Sequence, residues 1–223
     1  MVPHKSPQTS RALTAAAIVA VVVPLGACSG PPESSSTGPG SAVTSVHDVP
    51  PGYVRAEQAG LLIKIPERWT PLNVHDAMAD PDSVAPEVKR LASERNLTIE
   101  QYVSLLQGAD LVLFGPTQKE ETATVNIVTD VRLKSLPTPE KVRQELVAIG
   151  APTPRAGVTT TKLLGRAIWS SVSITPTSPS ALFILTAIGP NGLVTLTASS
   201  PSIAEAKRCV MRITSQMISW TKP

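Results

Sequence analysis

Two short segments, Leu111-Val112-Leu113-Phe114 and Leu182-Phe183-Ile184-Leu185, are apolar at every position. A strand turns successive side chains to opposite faces, so one with no polar alternate needs cover on both sides. By contrast, Ile168, Val172 and Ile174 are interleaved with serines and suit a more exposed strand. A chain holding both kinds must sandwich the middle of its sheet between layers, and four stretches of helical periodicity are available to do it. The pattern predicts an α+β fold, a three-layer α/β/α sandwich around a mostly antiparallel sheet of about six or seven strands.

Local signals place the elements along the chain. Leu61-Leu62-Ile63-Lys64-Ile65 is a β-rich run ending in a turn at Pro66-Glu67-Arg68-Trp69, with the tryptophan as an anchor. Asp80-Pro81-Asp82-Ser83 reads as loop, and Pro86 opens a helix whose Val88, Leu91 and Ala92 form one stripe as far as Asn96. Thr98 to Gln101 has capping-box spacing, and Ile99, Tyr102, Val103 and Leu106 share a face before Gly108. Two short helices therefore fall between the first strand and the second, Asp110 to Phe114. A third strand covers Thr122 to Val131, and Thr138-Pro139 starts a helix with the stripe Val142, Leu146, Ile149, closed by Gly150. Val158 to Leu164 and Ala167 to Ile174 flank Gly165-Arg166, a tight hairpin. Ala181 to Ile188 and Leu193 to Ser199 flank Gly189-Pro190-Asn191-Gly192, where Asn-Gly supplies the positive φ angles of a turn. Ser202 caps the longest helix, in which Ala206, Val210, Ile213, Met217 and Trp220 repeat at four, three, four and three.

The nonapeptide Leu-Leu-Ile-Lys-Ile-Pro-Glu-Arg-Trp at 61–69, the strand Thr-Val-Asn-Ile-Val-Thr-Asp at 124–130, a helix, two hairpins and an amphipathic C-terminal helix follow in that order. Together they resemble the Mog1/PsbP-like fold and, among its members, the actinobacterial (mycobacterial) LpqN-type lipoproteins. The match covers most of residues 55–221, and the helices at 86–107 read as an insertion relative to a minimal member. The resemblance implies a binding or assembly accessory more than an enzyme, because members of this fold mostly act without a shared catalytic residue set.

Ahead of this domain, Lys5 and Arg11 precede an uncharged apolar run from Ala12 to Val23, the order of a secretory signal peptide. From Ala12 to Leu25 a helix spans only ~21 Å, short of the ~30 Å hydrocarbon core of a bilayer. Leu25-Gly26-Ala27-Cys28 resembles the lipobox of bacterial lipoproteins, with Gly26 a less usual middle residue. The resemblance implies diacylglyceryl transfer to the Cys28 thiol, cleavage before it and an N-acyl chain in some members. Residues 1–27 are thus expected to be a leader, 28–52 a lipidated cysteine with a Ser/Pro/Gly-rich tether too poor in apolar side chains to fold, and 53–223 one globular domain. The implied address is the extracytoplasmic face of the plasma membrane, held by a lipid anchor. Ordinary cleavage nearby and a secreted product is the alternative.

Removing residues 1–27 takes two of the 20 basic residues and none of the 17 acidic ones, leaving 18 against 17. A near-neutral domain without aromatic-basic interleaving offers no case for nucleic acid. With Cys28 committed to lipid, Cys209 has no partner for a disulfide or thiolate metal site. It reads as a packing thiol, the alternative being a reactive one lowered by Lys207 and Arg208.

Within the domain His75 is the sole histidine, and no nucleophile elbow accompanies it. Asp76, Asp80 and Asp82 share a loop but lack the glycine and glutamate of an EF-hand. Asn96-Leu97-Thr98 is a formal glycosylation triplet that reads as a helix junction, and Trp69, Trp169 and Trp220 read as core fillers. No catalytic residue, cofactor or metal site is therefore expected. The leading expectation is a non-enzymatic, lipid-anchored accessory that binds an envelope protein, a cell-wall component or a lipid. An alternative is a lipid or glycolipid carrier with a cavity walled by Leu111, Leu113, Ile184 and Met217, and a third an envelope hydrolase acting through His75.

Overall fold

The computed structural model describes residues 48–118, 121–173 and 180–220. The expected leader and its Leu25, Gly26, Ala27 and Cys28 lie outside the described residues, as does the tether up to residue 47. In chain order the elements are β1 (Tyr53–Ala56), β2 (Leu61–Lys64), β3 (Thr70–Asn73), α1 (Val74–Ala79), a 3-10 turn (Pro81–Ser83), α2 (Pro86–Glu94), α3 (Ile99–Ser104), β4 (Leu111–Gln118) and β5 (Glu121–Asp130). There follow α4 (Pro139–Ala148), β6 (Arg155–Thr161), β7 (Gly165–Ser173), β8 (Ala181–Ile188), β9 (Leu193–Ser200), α5 (Ile203–Ser215) and β10 (Ile218–Ser219).

Seven strands form one sheet in the order β3-β4-β5-β9-β8-β7-β6, with every neighbouring pair antiparallel. The alternation within its strands sorts the side chains onto two faces. Leu111 and Leu113, both 0 % exposed, join Val125, Ile127, Phe183, Leu185, Val194 and Leu196 in a core shared with Ala206, Val210 and Ile213 of α5. Val112 and Phe114 point the other way, into a second core with Val88, Leu91, Tyr102 and Val103 of α2 and α3. The all-apolar reading of β4 thus has its cause in two packed faces. On the reverse face α4 packs against β6 and β7, at the end where Ile168 and Val172 are buried. The result is an α+β fold, a mostly antiparallel sheet flanked by helices.

Several boundaries differ from the sequence expectation, each for a physical reason. Leu61 to Lys64 does not join the main sheet. β2 is the middle of a separate three-stranded sheet, β1-β2-β10, whose Ala56, Leu61 and Ile63 pack into the α5 core. One outer layer is therefore a helix plus a small sheet. The edge strand β3 escaped notice because Thr70-Pro71-Leu72-Asn73 buries only Leu72, and Pro71, which has no amide to donate, is tolerated at an edge. α1 escaped because six residues carry too little periodicity, although the Asp76 amide donates to Asn73 Oδ1 at 3.2 Å in a regular N-cap. Among the described residues three α-helices, not two, therefore lie between β2 and β4.

α5 ends at Ser215, five residues short of the stripe that Met217 and Trp220 continue. Ile218 instead pairs with Leu62, and the Trp220 amide donates to the Gly60 carbonyl at 2.9 Å. In α4, Leu146 is buried but Ile149 is 54 % exposed, because the helix is already closing there: the Gly150 and Ala151 amides donate back to Val147 and Leu146 at 2.9 Å each. The β6-β7 turn lies at Lys162-Leu163-Leu164, not at Gly165-Arg166; Gly165, at φ 64°, is the left-handed residue that ends a three-residue loop. The β8-β9 turn sits at 189–192 as read, yet neither Asn191 nor Gly192 has a positive φ. Gly192 is there for space: a Cβ on it would stand 2.4 Å from the Asp130 carbonyl oxygen.

The small sheet is tied to the large one by a buried acid. Asp110, 5 % exposed, accepts the Ala59 amide on Oδ2 at 3.1 Å, and the Gln58 and Glu57 amides also face it. Burial pushes its carboxyl above the ordinary value near 3.8, while those amides pull the other way. Because the folded value is raised, the folded state holds the proton more tightly than the unfolded chain. The Asp110 contribution is therefore greatest below pH 3.8, falls as pH rises through the folded value and is level above it. Urea midpoints measured across acidic to neutral pH for the wild type and Asp110→Asn should diverge with this sign. A difference between them that is constant with pH contradicts the assignment.

Candidate functional site

α5 presents Glu205, Arg208, Cys209 and Arg212 at i, i+3, i+4 and i+7, one face beside its buried stripe. Across from it stand Pro66 and Trp69 from the turn after β2, and Pro116 and Ala123 from the β4-β5 hairpin, with Pro201 at the head of the helix. Between these walls lies a groove of about 490 Å³. Arg68 at φ 64° and the Trp69 amide bonding the Pro66 carbonyl at 3.1 Å set the turn that aims the tryptophan. Its ring lies 3.0 Å from where a Cβ on Gly115 would be, so the glycine leaves room for the indole. A register shift between Phe114 and Thr117 bends β4 at that point and puts Pro116 on the rim.

The floor is apolar and the α5 rim carries two guanidinium groups with one carboxylate. Cys209 is half-buried, and burial first, then the Glu205 charge, raises its thiol above the ordinary value while Arg208 and Arg212 pull less strongly the other way. The thiol is thus protonated and quiet at neutral pH, and the reading in which neighbouring cations activate it is not supported. A wider, shallower depression of about 570 Å³ lies where α2 meets α3. Its Thr98 and Gln101 are already spent on each other in the capping box, Gln101 Oε1 accepting the Thr98 amide at 2.9 Å and Thr98 Oγ1 accepting the Gln101 amide at 3.2 Å.

The other sequence candidates scatter. His75 and Asp76 are exposed in the first turn of α1, and Asp80 and Asp82 are not buried. Among the described residues no group of three or more His, Cys, Asp or Glu is arranged to hold a metal ion, and no helix is long and apolar enough to cross a membrane. Asn96 occupies the left-handed position (φ 55°) closing α2, with its amide on Ser93 and that of Leu97 on Ala92, so the triplet is a helix junction. The three tryptophans occupy three places: Trp69 in the groove, Trp169 stacked on Phe183 at 6.2 Å, and Trp220 buried under Arg55 at 4.9 Å. Leu111, Leu113 and Met217 belong to one closed core, whereas Ile184 points to the reverse face between Ser170 and Thr197. The four do not wall a common cavity. The groove itself was missed as a unit, although the spacing 205, 208, 209, 212 could have marked its helical wall.

No family model matches the chain, and no curated protein matches it. Among solved structures it is similar to the solution structure of cyanobacterial PsbP (CyanoP) from Synechocystis sp. PCC 6803, at 13 % identity and a TM-score of 0.40, over 88 % of this chain and 99 % of that one. That is a remote likeness of fold, and no functional residue is transferred from it.

Proposed function

We infer that this chain is a lipid-anchored accessory protein of the bacterial envelope, of the LpqN-type kind. In this reading acylated Cys28 holds it on the outer face of the plasma membrane, and it binds an envelope protein or cell-wall component without turning it over. The observation that carries the reading is Leu25-Gly26-Ala27-Cys28, which closes an apolar run too short to span a bilayer and opens a Ser/Pro/Gly-rich segment. The groove supports the binding half. Its volume of about 490 Å³ falls in the usual ~300–1,000 Å³ range of ligand sites. Its α5 rim offers two guanidinium groups and one carboxylate above an apolar wall, and the Glu205 charge together with burial keeps the Cys209 thiol protonated, so the groove is suited to grip and orient a ligand.

In a bacterial host that matures lipoproteins, the wild-type chain should sediment with membranes. Protease added outside intact spheroplasts should then digest it. A chain that is protected until the spheroplasts are lysed lies on the wrong side of the membrane, and the reading goes with it.

A further inference from the structure

The seven-stranded sheet has two outer edges, and the chain treats them differently. An edge strand presents a row of unpaired amides and carbonyls, which proteins usually blunt with proline, a bulge or brevity. β3 is blunted: it has four residues, one of them Pro71, and runs straight into α1. β6 is not. Its seven residues, Arg-Ala-Gly-Val-Thr-Thr-Thr, pair with β7 in unbroken register from Arg155↔Ser171 to Thr161↔Gly165, and among the described residues no strand pairs with its other side. At ~3.3 Å per residue this edge is ~23 Å long. Both of its faces offer apolar cover at the rim. On the α4 face Val158 is 49 % exposed although Ile168 opposite it is buried, and Val147 and Ile149 at the end of α4 are exposed too. On the other face the Trp169 indole lies over Gly157: a Cβ there would stand 2.8 Å from Trp169 Nε1, whose N–H has no hydrogen-bond partner among the described residues.

The charge at this edge has one sign. Arg155, Lys162 and Arg166 are exposed around it, Arg166 opposite Thr160, and between Glu145 and Glu205 the chain has no acidic residue. α4 beside it carries two acids and two bases, so it adds no net charge. We propose that the outer edge of β6 is a docking strand for an extended segment of another protein, one with carboxylates at both ends and β-branched residues between. The segment pairs as an eighth strand through its backbone. Its end carboxylates meet Arg155 at one end and Lys162 with Arg166 at the other, and its side chains pack on Val158 and the Trp169 rim. Opposite charges across a strand pair favour this occupant, and like charges disfavour a second copy. Two β6 edges would bring the three cations of each copy to one seam, with no acid from either hairpin. The inference goes beyond the envelope reading and rests on neither Cys28 nor the groove.

Amide hydrogen exchange in residues 155–161, followed by mass spectrometry on the full chain carrying Cys28→Ser, tests the edge. The probe is the end-capped peptide Asp-Thr-Val-Val-Val-Thr-Asp, with Lys-Thr-Val-Val-Val-Thr-Lys as its charge-reversed counterpart. At nine-tenths occupancy the outward-facing amides of β6 should exchange about tenfold more slowly, while those of β3 keep their rate. The lysine peptide should give no protection, and Arg155→Glu combined with Lys162→Glu should reverse the ranking of the two peptides. Val158→Lys should abolish the protection, with a thermal melt showing that the fold is kept. Equal protection by the two peptides, or none from the acidic one at up to ~1 mM, overturns the proposal. Protection that grows with protein concentration in the absence of peptide also overturns it and assigns the edge to a second copy. A chain found unacylated at Cys28 changes none of these outcomes, so the two readings fail separately.

Discussion

Cys28→Ser is expected to abolish fatty-acid labelling of the protein and to leave the 27-residue leader attached. Diacylglyceryl transfer needs the thiol, and the lipoprotein peptidase that the motif implies cuts only before the modified cysteine, so both losses follow from one sulfur atom. The physical consequence is at the membrane. Each buried methylene contributes ~0.8 kcal/mol, yet a single myristoyl chain binds with a constant of only about 10⁴ M⁻¹, so firm anchoring needs two chains or more. With an ordinary secretory leader in place of residues 1–27 and serine at position 28, the domain should move from the membrane pellet to the soluble fraction. Mass spectrometry of the wild-type product decides the matter: an unacylated chain, or one that begins elsewhere than Cys28, removes the anchor and the address together.

The second large effect is in the fold. Gly192→Ala should destabilise the domain by about 3 kcal/mol, lowering its melting temperature by roughly 6–12 °C at this size. The reason is contact, not dihedral preference. Gly192 has no positive φ, but a Cβ on it would stand 2.4 Å from the Asp130 carbonyl oxygen and 2.7 Å from the Val131 Cα, both backbone atoms. Relief requires separating the β8-β9 turn from the end of β5, and β9 is the central strand of the seven, paired to β5 through Asp130↔Leu193. Gly165 is the control. Its φ is 64° and nothing lies within 4 Å of a Cβ placed there, so Gly165→Ala carries only the left-handed penalty of ~1–2 kcal/mol. Thermal melts of the two variants should rank them in that order; equal losses mean that the close approach at Gly192 is absent.

The same pair of glycines shows how much was readable beforehand. Both were placed in turns from the sequence, but which was needed for its φ and which for its bareness depended on β5, some sixty residues upstream of Gly192 in the chain.

Interactions that close within about five residues were legible from the sequence alone. Thr98 with Gln101, Thr138 with the Lys141 amide, and Ser202 with the Glu205 amide all cap their helices as the residue types dictate, because donor and acceptor lie three residues apart. The two-sided burial of Leu111 to Phe114 was legible for the same reason: alternation is a local property of a strand. Tertiary structure alone decided where β2 pairs, where α5 stops and what faces Cys209. Each is a competition between a local preference and a backbone or side-chain partner far along the chain, as when the helical stripe at Met217 and Trp220 yields to β2 and Gly60. The groove draws its walls from three separate segments, the turn 66–69, the β4-β5 hairpin and residues 201–212, so no single stretch of sequence carries its shape; only the packing of α5 against the turn at Trp69 brings it into being.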